Sequence, residues 1–357
     1  MRLIAFLGVV LSLWAGPLIA AEISSAALDD LQQKIRTGGF PNLHSVIIQQ
    51  GEKRVAEWYF AGTDERRGEP LGQVTFNAET LHDIRSVTKS IVALLFGIAR
   101  DEGLIKTLDA PILEYFPDYA GLATAELAKI RLHHVLSMTS GLAWDERTYP
   151  YTDPRNSETA MDLAVDKVRH VLTQPITAAP GETFRYSGGD VALIAELVAR
   201  TAKMPLEKYA EAKLFAPLGI TKYDWVKDAT GKPIAASGLR LTPSDMMKIG
   251  QLMRDGGRYQ GKQVISKEWV GMSLASHTPA SAQKPCSVQY GYFWWLMPEC
   301  AARKHPAWYA AMGNGGQRIF ALPAAEVIIV ITSGNYNVPG EGGVDGVLLA
   351  VFEAGAR

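Results

Sequence analysis

The chain has 357 residues, a formal net charge of −1 and 47 % hydrophobic composition. That length suits a buried core with room for two lobes. The balanced charge, with neither a basic stripe nor an acidic tail, argues against a nucleic-acid partner. No repeat of 20–50 residues and no low-complexity tract is visible.

Residues 1–21 read as a secretory signal peptide. Arg2 precedes an apolar run from Leu3 to Leu11, then Leu13-Trp14, Pro17 and the small pair Ala20-Ala21 ahead of Glu22. The expectation is cleavage near Ala20 or Ala21, a periplasmic or secreted chain, and no stable membrane anchor after cleavage. No later run is long enough to span a bilayer.

Ser25 to Arg36 has helical spacing at Leu28, Leu31 and Ile35, with Gly38-Gly39 as its stop. Ser45–Gln50 and Arg54–Phe60 are β-rich and joined by Gly51-Glu52-Lys53, a hairpin pattern. Ser90 to Ile98 is apolar on all sides, as in a buried helix that ends at Gly103. From Leu104 to Gly238 helical patches alternate with Pro and Gly: Asp109–Phe116, Arg131–Met138, Glu158–Leu172, Gly189–Ala202 and Leu206–Leu214. Thr242-Pro243-Ser244-Asp245 opens a helix over Met246–Arg254. Strand patterns return at Tyr290–Met297, Ala307–Met312, Arg318–Leu322 and Val327–Thr332, and Val344–Glu353 reads as a last helix. Strands at both ends with helices between them predict an α+β fold: one antiparallel sheet flanked by helices, residues 22–103 and 239–357, with an all-helical lobe inserted at 104–238.

Ser86-Val87-Thr88-Lys89 places a hydroxyl and an amine three residues apart at the start of the buried helix, on one face. A lysine in a dry pocket can lose its charge and serve as base to the serine. The helix N-terminus favours developing negative charge there. Tyr186, after the Pro180-Gly181 turn, reads either as a general base toward Ser86, with Lys89 sharing its proton, or as a core tyrosine. Gly313-Asn314-Gly315-Gly316-Gln317 reads either as a Gly-rich turn or as the edge of an oxyanion hole, one N–H coming from Ser86 and a second from this segment.

These three segments, in this order, resemble the serine β-lactamase and penicillin-binding-protein superfamily, in its class C β-lactamase-like branch. That branch includes esterases, D-amino-acid peptidases and 6-aminohexanoate-dimer hydrolases. Leu136–Leu142, Gly238–Met246 and Tyr290–Trp295 support the resemblance, which spans Leu43 to Thr332. It implies a cleft between sheet and helical lobe, and acyl transfer through an acyl-enzyme with no metal and no cofactor. Ser86 is then the nucleophile, Lys89 its proton partner and Tyr186 the general base and acid. Ser86 and Gln317, with Gly316 as the alternative to Gln317, donate the oxyanion hydrogen bonds. Ser187, Gly188, Asn314 and Gly315 are the expected substrate contacts.

Two departures from the family pattern bear on substrate. Tyr186-Ser187-Gly188 stands where β-lactamases have Tyr-x-Asn, and Asn314-Gly315-Gly316 where a cation usually opens the third motif. Both favour a small neutral ester or amide over an anionic β-lactam or D-Ala-D-Ala peptide. A β-lactamase or D-alanyl peptidase, and a penicillin-binding sensor without turnover, are the alternatives. The aromatic and acidic loop holding Trp144 and Tyr149 either caps the cleft or packs under the lobe. Trp294 and Trp295 read as core. His133-His134 lacks ligand-spaced partners and reads as structural. Cys286 and Cys300 are expected to form a disulfide in an oxidising compartment. The oligomeric state is not legible.

Overall fold

The computed structural model describes residues 22–303 and 306–355. The expected signal peptide, residues 1–21, lies outside them. A seven-stranded antiparallel sheet forms the centre. Its strands are β1 (Leu43–Gln50), β2 (Lys53–Tyr59), β3 (Gln289–Tyr290), β4 (Trp295–Met297), β5 (Trp308–Gly313), β6 (Gln317–Leu322) and β7 (Val327–Ser333). Their spatial order is β3-β4-β5-β6-β7-β1-β2. The two chain ends meet where β1 pairs with β7, Val46 opposite Ile331 and Ile48 opposite Ile329. Residues 46–48 of β1 and 327–331 of β7 are continuous aliphatic runs because both faces of the sheet are covered.

Alternation along β1 sends successive residues to opposite layers. Val46 and Ile48 pack with Phe320, Ile329 and Ile331 under α1 (Ser25–Arg36) and the C-terminal helix α5 (Asp345–Gly355). Ile47 faces the other core with Ile319, Ile328 and Val330, under α2 (Val87–Asp101) and α4 (Pro243–Arg254). The α2 helix is buried from Val87 to Ala99 and packs on α3 (Gly188–Ala202), which belongs to the helical lobe. Residue 97 of α2 sits against an indole: a Cβ on Gly97 would lie 2.1 Å from Trp269 Cδ1.

The helical region is more broken than its sequence pattern suggests. Asp109–Phe116 contains a 3₁₀ turn at Ile112–Tyr115, and Arg131–Met138 keeps only Leu132–Leu136 as α-helix. Glu158–Leu172 splits into Ser157–Leu163 and Lys167–Leu172, because the Asp166 carboxylate accepts from Arg169 N at 2.9 Å and starts a new helix. Leu206–Leu214 changes from an α-turn to a π-turn at Glu211. Tyr290–Met297 is two short strands folded back at Gly291–Trp294, with Phe293 at φ 59°. Cys286 and Cys300 are joined in a disulfide, Cα–Cα 5.2 Å, across this hairpin. An additional hairpin, Ala61–Arg66 with Glu69–Thr75, turns at Arg67-Gly68, both at positive φ. No helix among the described residues is long and apolar enough to cross a membrane.

Gly97→Ala tests the closeness of α2 to the core behind it. Overpacking of this kind costs about 1–3 kcal/mol. A thermal melt is expected to show a Tm lowered by several degrees, and an unchanged Tm would contradict the packing.

Candidate active site

The chain enters the site from a short strand, His82–Asp83, which pairs with Leu239–Leu241. A turn follows, closed by Val87 N donating to Ile84 O at 3.1 Å and Thr88 N to Arg85 O at 2.9 Å. Arg85 holds a left-handed backbone at φ 48°. Such a conformation costs of order 1 kcal/mol in a non-glycine residue and persists only under restraint. The restraint is electrostatic: the Arg85 guanidinium pairs with Glu65, lies 3.5 Å from Asp83 and stacks 4.7 Å from the Tyr336 ring centre. Arg240 holds Asp83 from the other side at 2.8 Å. Ser86 therefore stands at the N-terminus of α2 with its hydroxyl making no cap bond. Its N–H has no backbone partner among the described residues.

Lys89 lies one helical turn on, 1 % exposed. Its Nζ donates to Ser86 Oγ at 3.2 Å, Ala236 O at 3.0 Å and Glu158 Oε2 at 3.0 Å. Its surroundings bear on whether it can act as a neutral base. Burial alone pulls its pKa down, but the Glu158 carboxylate, helped by Tyr186 and Glu146, outweighs burial and raises it. This environment favours the ammonium form of Lys89.

Glu158 is the residue the sequence reading missed. Asn156 caps its short helix, accepting from Glu158 N at 3.0 Å. Ser237 Oγ donates to Glu158 Oε1 at 2.5 Å, and Arg67, from the turn of the additional hairpin, approaches the same oxygen at 3.9 Å. Burial pushes the Glu158 pKa up, yet Lys89 and Arg67 together bring it below the ordinary carboxylate value. A Cβ on residue 188 would lie 2.6 Å from Glu158 Oε2, so Gly188 is the space this carboxylate occupies. The glycine in place of the family's asparagine, which leaves room for a larger neighbouring group, was the available signal. A second buried acid, Glu146, accepts from Trp144 Nε1 and Gly188 N, both at 2.5 Å, and from Tyr151 OH at 2.9 Å. Burial and repulsion from Glu158 push its pKa up to about 7 against the pull of Lys89.

Tyr186 completes the group. Its ring centre lies 5.1 Å from Lys89 Nζ, and the nearby Ser86 hydroxyl helps to lower the pKa of its phenol. Burial pushes the phenol up to about 12, while Lys89 pulls it back down. Trp295 stacks on Tyr186 at 5.5 Å and Tyr290 meets it edge-on at 6.2 Å. Trp294 is fully buried, as expected, whereas half-buried Trp295 also walls the site.

The remaining predicted residues fall elsewhere. Gln317 and Gly316 make no hydrogen bond with Ser86 among the described residues and sit within the sheet and its turn. Gln317 begins β6, an interior strand whose in-plane amides point at β5 and β7, and its side chain donates to and accepts from the Ser333 backbone. Gly316 backs onto Val344, which a Cβ there would meet at 3.0 Å. The backbone that touches the nucleophile turn is Gly313: a Cβ there would lie 2.2 Å from Ile84 O. The β4 strand covers β5 only from Trp308 to Ala310, so β5 has a free edge beyond, and the Asn314 N–H has no acceptor among the described residues. The Asn314 side chain is tied to Asn337 at 3.2 and 2.8 Å, and Gly315 N donates to Glu341. Ser187 caps α3, accepting from Asp190 N at 3.0 Å, and Gly188 serves the two carboxylates, so both are structural rather than substrate contacts. Trp144 is packed beneath Gly189 and holds Glu146, which settles its loop position as packing. Tyr149 is half-buried and stacks on Arg155 at 4.2 Å. His134 Nδ1 accepts from Arg131 N at 3.0 Å, and His133 Nδ1 bonds Leu108 O at 3.3 Å.

The sequence and fold have clear relatives. The family profile described as Beta-lactamase matches residues 28–351. The 6-aminohexanoate-dimer hydrolase of Paenarthrobacter ureafaciens is 25 % identical over 337 residues, 88 % of this chain and 78 % of that protein. The D-alanyl-D-alanine-carboxypeptidase/endopeptidase AmpH of Escherichia coli K12 is 24 % identical over 69 % of this chain and 66 % of its own. Among solved structures, EstCE1, described as a hydrolase with promiscuous acyltransferase activity, superposes with a TM-score of 0.73 at 17 % identity, covering 94 % of this chain and all of that one. The chain belongs to the beta-lactamase family of serine hydrolases.

Proposed function

We propose that this protein cleaves a small neutral ester or amide through an acyl-enzyme on Ser86. The observation that carries the reading is the buried cluster in which Lys89 touches Ser86, Glu158 and the Tyr186 ring. The Ser86 oxygen attacks the carbonyl carbon as its proton passes to the Tyr186 oxygen in its phenolate form. Lys89 remains charged and stabilises that phenolate. The oxyanion is met by Ser86 N–H and by a second N–H at the free end of β5, Asn314 in this reading. The bond to the leaving group breaks as Tyr186 returns the proton to the departing oxygen or nitrogen. Water then attacks the acyl carbon, giving its proton to Tyr186, which passes it to the Ser86 oxygen as the ester bond to the acyl group breaks and the acid is released.

Neutral substrates are favoured because Lys89 and Arg85, the cations beside Ser86, are both buried and paired, leaving neither for a substrate carboxylate. Export belongs to the same proposal, supported by the pattern of residues 1–21 and by the Cys286–Cys300 disulfide, which suits an oxidising compartment.

With p-nitrophenyl butyrate, Ser86→Ala is expected to abolish turnover, and Lys89→Ala and Tyr186→Phe each to lose about 10²-fold or more. Equal turnover by wild type and Ser86→Ala would end the proposal. A stable penicillin adduct at Ser86 in an intact-mass spectrum, without ester turnover, would favour the sensor alternative, and rapid nitrocefin hydrolysis the β-lactamase one.

Because a raised phenol is the base, its reactive fraction grows with pH. The kcat/KM of the ester is expected to climb from about pH 7 to about pH 10 and to lose that limb in Tyr186→Phe. A flat profile would assign the base elsewhere.

Glu158→Gln strands the Lys89 charge and is expected to cost about 3–5 kcal/mol. Lys89 is raised in the fold, so its contribution is complete below the ordinary lysine pKa and fades as pH rises through the folded value. Glu158 is lowered, so its contribution is present above the ordinary carboxylate value and fades as pH falls. The Tm gap between wild type and Glu158→Gln should therefore be widest between about pH 5 and about pH 10 and narrow in acid. A gap that stays constant into acid would contradict the pairing.

A further inference from the structure

Glu146 is buried beside the Ser86 cluster, and the proposed reaction gives it no task. Its Oε1 accepts from Trp144 Nε1 and Gly188 N, and its Oε2 from Tyr151 OH. Gly188 opens α3 two residues beyond Tyr186, so the carboxylate holds the backbone that carries the phenol. The loop around Glu146 is held in turn by the helix that carries Glu158. Asp145 N donates to Ser157 Oγ at 2.9 Å, Asn156 Nδ2 to Tyr149 O at 2.8 Å and Thr159 Oγ1 to Tyr151 O at 2.8 Å.

These contacts do not require a charge. A glutamine would offer its oxygen to the two N–H groups and its amide to the Tyr151 hydroxyl, which can rotate to accept. The carboxylate is harder to keep, because it is buried beside a second acid, Glu158. A perturbed acid retained at a reactive centre points to a use. The titratable groups facing it are Lys89 from α2, Glu158, Tyr151 from its own loop, Tyr186 and Asp190 around the start of α3, and Tyr290 from β3. Lys89 is paired with Glu158, and burial holds Asp190 in its protonated form beside Ser140. Burial likewise keeps the Tyr151 and Tyr290 phenols protonated. On Tyr186 the two charges oppose each other: Lys89 lowers its phenol and Glu146 raises it.

We propose that Glu146 is a positioning residue for Tyr186, holding its backbone through Gly188 and, by its negative charge, keeping the phenol protonated against the pull of Lys89. The inference rests on the reading of Tyr186 as the base. Glu146 itself is pushed up to about 7 by burial and by Glu158. Below that pH it is neutral and its hold on the phenol lifts; above it the hold is in place.

The pH profile of p-nitrophenyl butyrate hydrolysis in Glu146→Gln and Glu146→Ala tests it. At about pH 5.5 wild-type Glu146 is neutral, so Glu146→Gln should match wild type. At about pH 9 Glu146→Gln should be faster by about threefold to tenfold, since its phenol ionises more readily. Glu146→Ala also loses the bond to Gly188 N and should be slower than Glu146→Gln at both values by about fivefold, the scale of one hydrogen bond. A Glu146→Gln profile that overlays wild type at both values, or lies below it throughout, would overturn the proposal. Should Glu146→Ala fail to fold, the Glu146→Gln comparison decides alone.

Nuclear magnetic resonance of ring-carbon-labelled tyrosine, with Tyr186 assigned through Tyr186→Phe, separates this inference from the hydrolysis. In a Ser86→Ala background, Glu146→Gln should bring the Tyr186 titration to lower pH. An unmoved titration would overturn the inference whether or not the ester is cleaved. A titration that moves while Tyr186→Phe keeps the wild-type rate profile would support the electrostatic hold on Tyr186 and refute its reading as the base.

Discussion

The ion pair between Lys89 and Glu158 is the interaction on which the site depends. Both side chains are buried, at 1 % and 2 % exposure, so neither charge is tolerable without the other. An isolated lysine in that position would shed its proton. With Glu158 at 3.0 Å it keeps the proton, and the ammonium then acts outward on two neutral groups, the Ser86 hydroxyl and the Tyr186 phenol. The chemistry open to Tyr186 follows from that: a phenol raised by burial is drawn back toward ionisation by the one cation beneath its ring. The pair also joins the two halves of the fold. Lys89 belongs to the helix under the sheet and Glu158 to the helical lobe, 69 positions away in sequence.

A second set of charges fixes where Ser86 stands. Arg85, in its left-handed conformation, is clamped by Glu65 and Asp83, and Asp83 by Arg240. Tyr336 takes part twice, stacking on Arg85 and donating to Asp64 at 3.1 Å. These partners come from the additional hairpin, the short three-stranded sheet and the segment after β7. The turn that carries Ser86 is thus held by tertiary contacts rather than by its own local preference, and Gly313 lets β5 close on it without a side chain between.

The contact of Ser86 with Lys89 was legible because it is written in a local pattern: the two share a helix face, and that helix is apolar all round. The long strands β1 and β7 were legible for a similar reason, as aliphatic runs with Gly or Pro at their ends. The hairpin after Phe60 was not, since Ala61–Thr75 is charged, rich in glycine and without clean alternation. Glu146 and Glu158 escaped because a buried acid reads in sequence like an exposed one until its partner is known. Where the glycine run meets the sheet was not legible, because only pairing shows that β5 ends at Gly313 and that Gln317 opens β6 inside the sheet. Ser187 and Trp144 show the same limit, since polar and aromatic residues near a site serve its scaffold as often as its ligand.

The protonation state of Lys89 tests this account most directly. Nuclear magnetic resonance titration of the Lys89 side chain, assigned by difference with Lys89→Arg, reads it without substrate. The account predicts an ammonium that persists beyond the ordinary lysine midpoint of about 10.4, because Glu158 is ionised beside it. A Lys89 amine already neutral near pH 8 would contradict it and return the role of base to the lysine.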